Sequence, residues 1–102
     1  MSTFVKILNF EPLIHRILIL LLSKESDLAV VEEDAENADV LLFRPVSLES
    51  VLTLRSQFPV AHFVAMVEWH RRSLFETAPI DVYLDALAAY ESILAGLRRR
   101  RS

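Results

Sequence analysis

The sequence predicts a three-layer α/β sandwich built on a five-stranded parallel sheet. Three observations carry this. Short apolar runs of strand length alternate with stretches of helical spacing. Prolines and polar clusters punctuate nearly every change of period. The run Asp39-Val40-Leu41-Leu42-Phe43 is apolar almost throughout, which suits a central parallel strand covered on both faces.

The elements follow in order. Phe4-Val5-Lys6-Ile7-Leu8 reads as the first strand. Glu11-Pro12 opens a helix, with proline in the first turn where its missing N–H does no harm, and the helix runs to about Lys24. Ile14, Ile17, Leu18 and Leu21 mark its expected inner face, leaving Ile19 and Leu20 as apolar residues off that stripe. Asp27 to Glu32 is a short second strand. The acidic stretch Glu32 to Asp39 reads as a loop or single turn, so the second helix of the pattern is shortened or missing. After the central strand, Arg44-Pro45 breaks the chain, Ser47 caps a helix and Glu49 favours its dipole. Leu48, Val51, Leu52 and Arg55 follow helical spacing until Pro59. His62 to Val67 is a fourth strand, Arg71 to Thr77 a short helix, and Ile80 to Leu84 a fifth strand. Ala86 to Arg99 closes the chain as a helix with Leu87, Tyr90, Leu94 and Leu97 inward. Right-handed crossovers between parallel strands then give the flavodoxin-like order 2-1-3-4-5.

Composition bounds the function. The 102 residues suit a single domain, 1–102, with no repeat or linker. Apolar residues make up 53%, enough for a packed core, and a net charge of −3 gives no general attraction to nucleic acid or membrane. The absence of cysteine excludes disulfides, a thiol nucleophile and a zinc-thiolate site. Gly96 is the single glycine, which argues against a phosphate-cradling loop. The run Ile17 to Leu22 is far shorter than the roughly 20 residues of a membrane span, and no signal peptide is discernible, so a cytoplasmic location is expected. His15, His62 and His70 are scattered. Glu11 and His15 stand four apart on one helix, but two ligands do not make a metal site, and no metal or cofactor is expected.

The segments Lys6-Ile7-Leu8-Asn9-Phe10-Glu11-Pro12, Ala38-Asp39-Val40-Leu41-Leu42-Phe43 and Asp81-Val82-Tyr83-Leu84 resemble, in order and spacing, the first, third and fifth strands of response-regulator receiver domains. The resemblance spans nearly the whole chain. It implies a carboxylate cluster holding magnesium, a phosphoacceptor aspartate ending the third strand, a hydroxyl ending the fourth and a lysine following the fifth. The matching positions here are Asn9 and Phe10, Phe43, Val67 or Glu68, and Ala86. Glu11 is the remaining acid of such a pocket. Nucleophile, metal site and charge-stabilising lysine are all replaced, so the resemblance implies a degenerate, non-phosphorylated pseudo-receiver of two-component signalling, not an enzyme.

The expected role is protein–protein interaction, with another signalling protein or with a second copy. The resemblance places the partner face on the fourth helix, fifth strand and last helix, roughly Arg72 to Leu97. Candidate contacts are Ile19, Leu20, Trp69, Arg71, Arg72, Tyr83 and Tyr90, since exposed apolar groups, Trp and Arg mark interfaces. A competing reading for Trp69 is packing over the sheet end, with Arg71 and Arg72 solvated. Two alternatives remain. A small flavodoxin-like enzyme or ligand-binding domain would use Asp39, Glu68, Asp81 and Asp85. A nucleic-acid accessory would use Arg71-Arg72 and the basic tail Arg98 to Arg101, although nucleic-acid binding is not expected and a solvated helix end explains the tail.

Overall fold

The computed structural model describes residues 2–31 and 38–99. Its elements are β1 (Thr3–Leu8), α1 (Pro12–Leu22), β2 (Leu28–Val30), β3 (Val40–Phe43), α2 (Leu48–Gln57), β4 (His62–Val67), a 3₁₀ helix (Trp69–Phe75), β5 (Val82–Asp85) and α3 (Tyr90–Arg98). All strand pairs are parallel, in the order β2-β1-β3-β4-β5, as the alternating pattern predicts. The expected loop from Glu32, and with it the missing second helix, falls at 32–37, outside the described residues.

Pleating sorts the strand side chains into two cores. Val5, Ile7, Val40, Leu42, Val64 and Met66 face α1 and α3, while Leu41, Phe43, Phe63, Ala65 and Val67 face α2 and the 3₁₀ helix. All four residues of β3 are fully buried, which explains its unbroken apolar run. Helices therefore lie on both faces of the sheet. At α3, Gly96 is buried, and a Cβ there would stand 3.3 Å from Leu84 Cδ1, so glycine lets the helix settle onto the sheet.

Helix boundaries follow local chemistry. Pro12 starts α1. Ser47 and Ser50 form a reciprocal capping box on α2, each side chain accepting from the other's backbone N–H at 3.1 Å. Three expected faces are corrected. In α1 the buried residues are Leu18 and Leu22, with Ile19 packed against them, whereas Ile14 and Ile17 are 43% and 42% exposed. In α2 Val51 is buried and Leu54 packs beside it, but Leu52 points outward. The last helix begins at Tyr90 rather than Ala86, because Asp85 first closes a turn, accepting from Leu87 N at 2.8 Å. Leu87 is consequently exposed, and the buried face of α3 is Ile93, Gly96 and Leu97.

Candidate functional site

In an open parallel sheet, ligands and partners gather where the strands end at their carboxyl termini. Here that edge is built by the segments after β1, β3, β4 and β5. Asn9 follows β1 with φ 63, a left-handed conformation that asparagine tolerates better than most residues. The turn it makes directs Phe10 over the α1 side of the sheet, where Phe10 packs against the core. Phe10, Glu11, Arg44, Met66, Glu68 and Leu87 are among the residues lining a shallow groove of about 530 Å³ between α1 and the β5–α3 turn. Ala86 lines the same groove.

Phe43 and Val67 do not reach it. Both turn to the opposite face and join the α2-side core, where the Phe43 and Phe63 rings meet edge-on at 5.5 Å. Of the six positions singled out by the sequence resemblance, the structure therefore gathers Phe10, Glu68 and Ala86 around one groove. Asn9 is exposed beside it, and Phe43 and Val67 are sealed below.

The charges at this edge are engaged with one another. The Arg44 guanidinium is ion-paired with Glu68 Oε1, and Arg71 Nη1 lies 3.6 Å from Glu68 Oε2. Glu68 Oε2 is closed off from solvent and receives no hydrogen bond, so Arg71 serves it by charge alone. A hydrogen bond from its own backbone amide, aided by the charges of Arg44, Arg71 and His70, holds the Glu68 carboxyl below its ordinary pKa against the opposing effect of desolvation. Among the described residues, no cluster of three or more His, Asp or Glu is placed to hold a metal ion.

The four acids of the enzyme reading do not converge. Asp39 and Asp81 stand before β3 and β5, at the amino-terminal edge. Each accepts a backbone amide of a neighbouring strand at 2.8 Å, from Phe4 and Phe63 respectively. Glu68 and Asp85 lie at the other end of the sheet.

The expected contact residues divide. Trp69 is 77% exposed and does not pack over the sheet end. The arginines after it are not simply solvated: Arg71 lies 5.9 Å from the Phe75 ring centroid and Arg72 5.0 Å from that of Tyr83. Tyr83 is partly buried and its hydroxyl donates to the Phe75 carbonyl. Leu20 is exposed, whereas Ile19 belongs to the core margin. Tyr90 is not a free surface group. It packs against the core and donates to Leu21 O at 2.9 Å and Glu25 Oε2 at 3.2 Å, tying α3 to the end of α1.

Arg98 also departs from the expected solvated tail. Its Nε and Nη2 form a fork on the Asp27 carboxylate at 2.9 and 2.8 Å, and Nη2 reaches Glu25 Oε1 at 3.0 Å. Arg99 is exposed, and the rest of the tail lies outside the described residues. The hydrogen bonds from Arg98 lower the Asp27 pKa. Asp27 and Glu68 thus bind protons less readily in the fold than in the unfolded chain. Their stabilisation is complete above the ordinary carboxylate pKa of about 4 and is lost as pH falls through the lowered folded values. Urea midpoints measured at about pH 6 and pH 3 should therefore fall on acidification, and less steeply in Arg98→Ala, which removes the Asp27 contribution.

No protein-family model matches the chain, and no curated protein matches it. Among solved structures, the crystal structure of an adenylate cyclase from Rhodopirellula baltica superposes with a TM-score of 0.75 at 12% identity, over 96% of this chain and 89% of that one. At that identity the likeness concerns the fold alone. Together with the strand order, it establishes a flavodoxin-like α/β fold for this chain.

Proposed function

We propose that the chain is a receiver-like interaction module of bacterial signalling or regulation, working without phosphorylation and without enzymatic activity. The observation that carries this reading is the state of the carboxyl-terminal sheet edge. Aspartyl-phosphate chemistry requires a nucleophilic carboxylate and a magnesium site of clustered oxygens. At this edge β3 ends in buried Phe43 followed by Arg44, and the nearby Glu68 is already neutralised by Arg44 and Arg71. Asp85, the last residue of β5, accepts the Leu87 amide.

The partner is another signalling protein that docks on the face from the 3₁₀ helix through β5 to α3. Exposed groups on or beside it are Trp69, Arg72, Leu74 and Leu87, a mixture of Trp, Arg and apolar side chains typical of binding hot spots. Titration with magnesium and beryllofluoride, a phosphoryl mimic, tests the central claim, with calorimetry and the emission of the single tryptophan as readouts. No saturable change is expected. Saturable binding at micromolar concentrations would overturn the reading.

A further inference from the structure

We infer that the groove between α1 and the β5–α3 turn binds a free apolar α-amino acid, its side chain inward and its ammonium and carboxylate held by Glu11 and Arg44. The groove's volume of about 530 Å³ falls within the range of roughly 300–1,000 Å³ of small-molecule sites, which combine apolar walls with a few convergent polar groups. Both are present. The floor is core, formed by the buried side chains of Leu18, Met66 and Ile93. Phe10 contributes to the wall, and at the mouth Leu87 is 93% exposed, apolar surface that a bound side chain would cover.

The polar groups stand where β1 and β3 end side by side, with Leu8 opposite Phe43. Glu11 comes shortly after β1 and Arg44 directly after β3, and both line the groove. Their charges are available to a ligand. Glu11 makes no side-chain hydrogen bond to the helix it precedes, and its carboxylate is in no ion pair among the described residues. Arg44 commits only Nη2 to Glu68, while its Nε and Nη1 donate to none of the described residues. Glu68 does not cancel the arginine charge, because Arg71 shares it and the three side chains keep one positive charge in surplus. An unpaired carboxylate and a surplus guanidinium on one apolar groove match a zwitterion with an apolar body. A plain acid would meet Glu11, and a plain amine would meet Arg44, each as a like charge. The site needs no partner protein, so it is tested separately from the reading above.

Titration of the isotope-labelled full chain with L-phenylalanine, followed by amide NMR shifts, should saturate below millimolar concentration with the shifts centred on Phe10, Arg44 and Leu87. Phenylpropionate lacks the ammonium and phenethylamine lacks the carboxylate. Each should bind about tenfold more weakly, the loss of one charge-assisted contact. Glycine, which lacks the apolar body, should not bind. Glu11→Gln should weaken L-phenylalanine about tenfold yet strengthen phenylpropionate, a reversal that a purely structural role of Glu11 would not produce. Ala86→Phe, which fills the groove from the turn, should remove binding and leave the urea midpoint unchanged. No saturable shift at millimolar concentrations, equal binding of the three aromatic ligands, or shifts centred on another face would each overturn the inference.

Discussion

Phe43→Asp, which places a carboxylate at the end of β3, is expected to unfold the domain rather than to create a phosphoacceptor. Phe43 is fully buried and its ring meets Phe63 edge-on. Truncating a buried phenylalanine costs about 3–5 kcal/mol, and a carboxylate there would also be a buried charge without a partner. Arg44, the next residue in the chain, is already committed to Glu68, and Arg55, which lies over the Phe63 ring, is held by the Ala61 and Pro79 carbonyls and Asp81. The sum rivals the whole stability of a small domain, about 5–15 kcal/mol. The variant should therefore lose its cooperative urea transition by circular dichroism, while Phe43→Leu, which keeps the site apolar, retains it with a lowered midpoint. A folded Phe43→Asp protein with the wild-type midpoint would show that the strand end is not the packed plug described here.

Arg55→Ala should destabilise the domain by about 3 kcal/mol, although the residue lies on a partly exposed helix end. Its guanidinium donates to the carbonyls of Ala61 and Pro79, each at 2.8 Å, and to Asp81 Oδ2 at 3.2 Å, and it lies 3.7 Å from the Phe63 ring centroid. Hydrogen bonds to charged groups contribute about 1.5–3 kcal/mol, and a partly desolvated cation over an aromatic ring about 1–2 kcal/mol. These overlap in one side chain and do not simply add. The loss also frees Asp81, whose Oδ2 accepts from Phe63 N and so joins β5 to β4. Urea denaturation should show the lower midpoint. Arg55→Lys should rescue little, since an ammonium cannot span carbonyls on two sides as the planar fork does. A midpoint within about 0.5 kcal/mol of wild type, the range of an ordinary surface change, would show that the contacts are dispensable.

The architecture was legible in the sequence because its strands are short apolar runs separated by strong punctuation. β4 has the expected limits, His62 to Val67, and β3 is the buried centre that its unbroken run implies. The loss of ionisable groups at positions resembling a receiver site is also a statement about residue types, and can be read directly from Asn9, Phe10, Phe43 and Ala86.

Which way the helices face was not legible. α1 is apolar nearly all round, so its period permits more than one inner stripe, and contact with the sheet selected Leu18 and Leu22. The polar connections were hidden for a different reason. Arg44 finds Glu68 24 residues away, Arg55 finds Asp81 26 away, and Arg98 reaches Asp27 71 away. Helical or strand spacing reports only neighbours along one element, and nothing in it pairs charges that the fold brings together across the sheet. By itself the sequence determined the alternating α/β order and the residue types at each strand end, because both depend on residue type and local period. The tertiary structure alone decided that Arg44 and Arg71 neutralise Glu68, that Arg55 and Arg98 bind elements together, and that α1 keeps an apolar face in solvent, because each depends on which distant groups the packed sheet sets side by side.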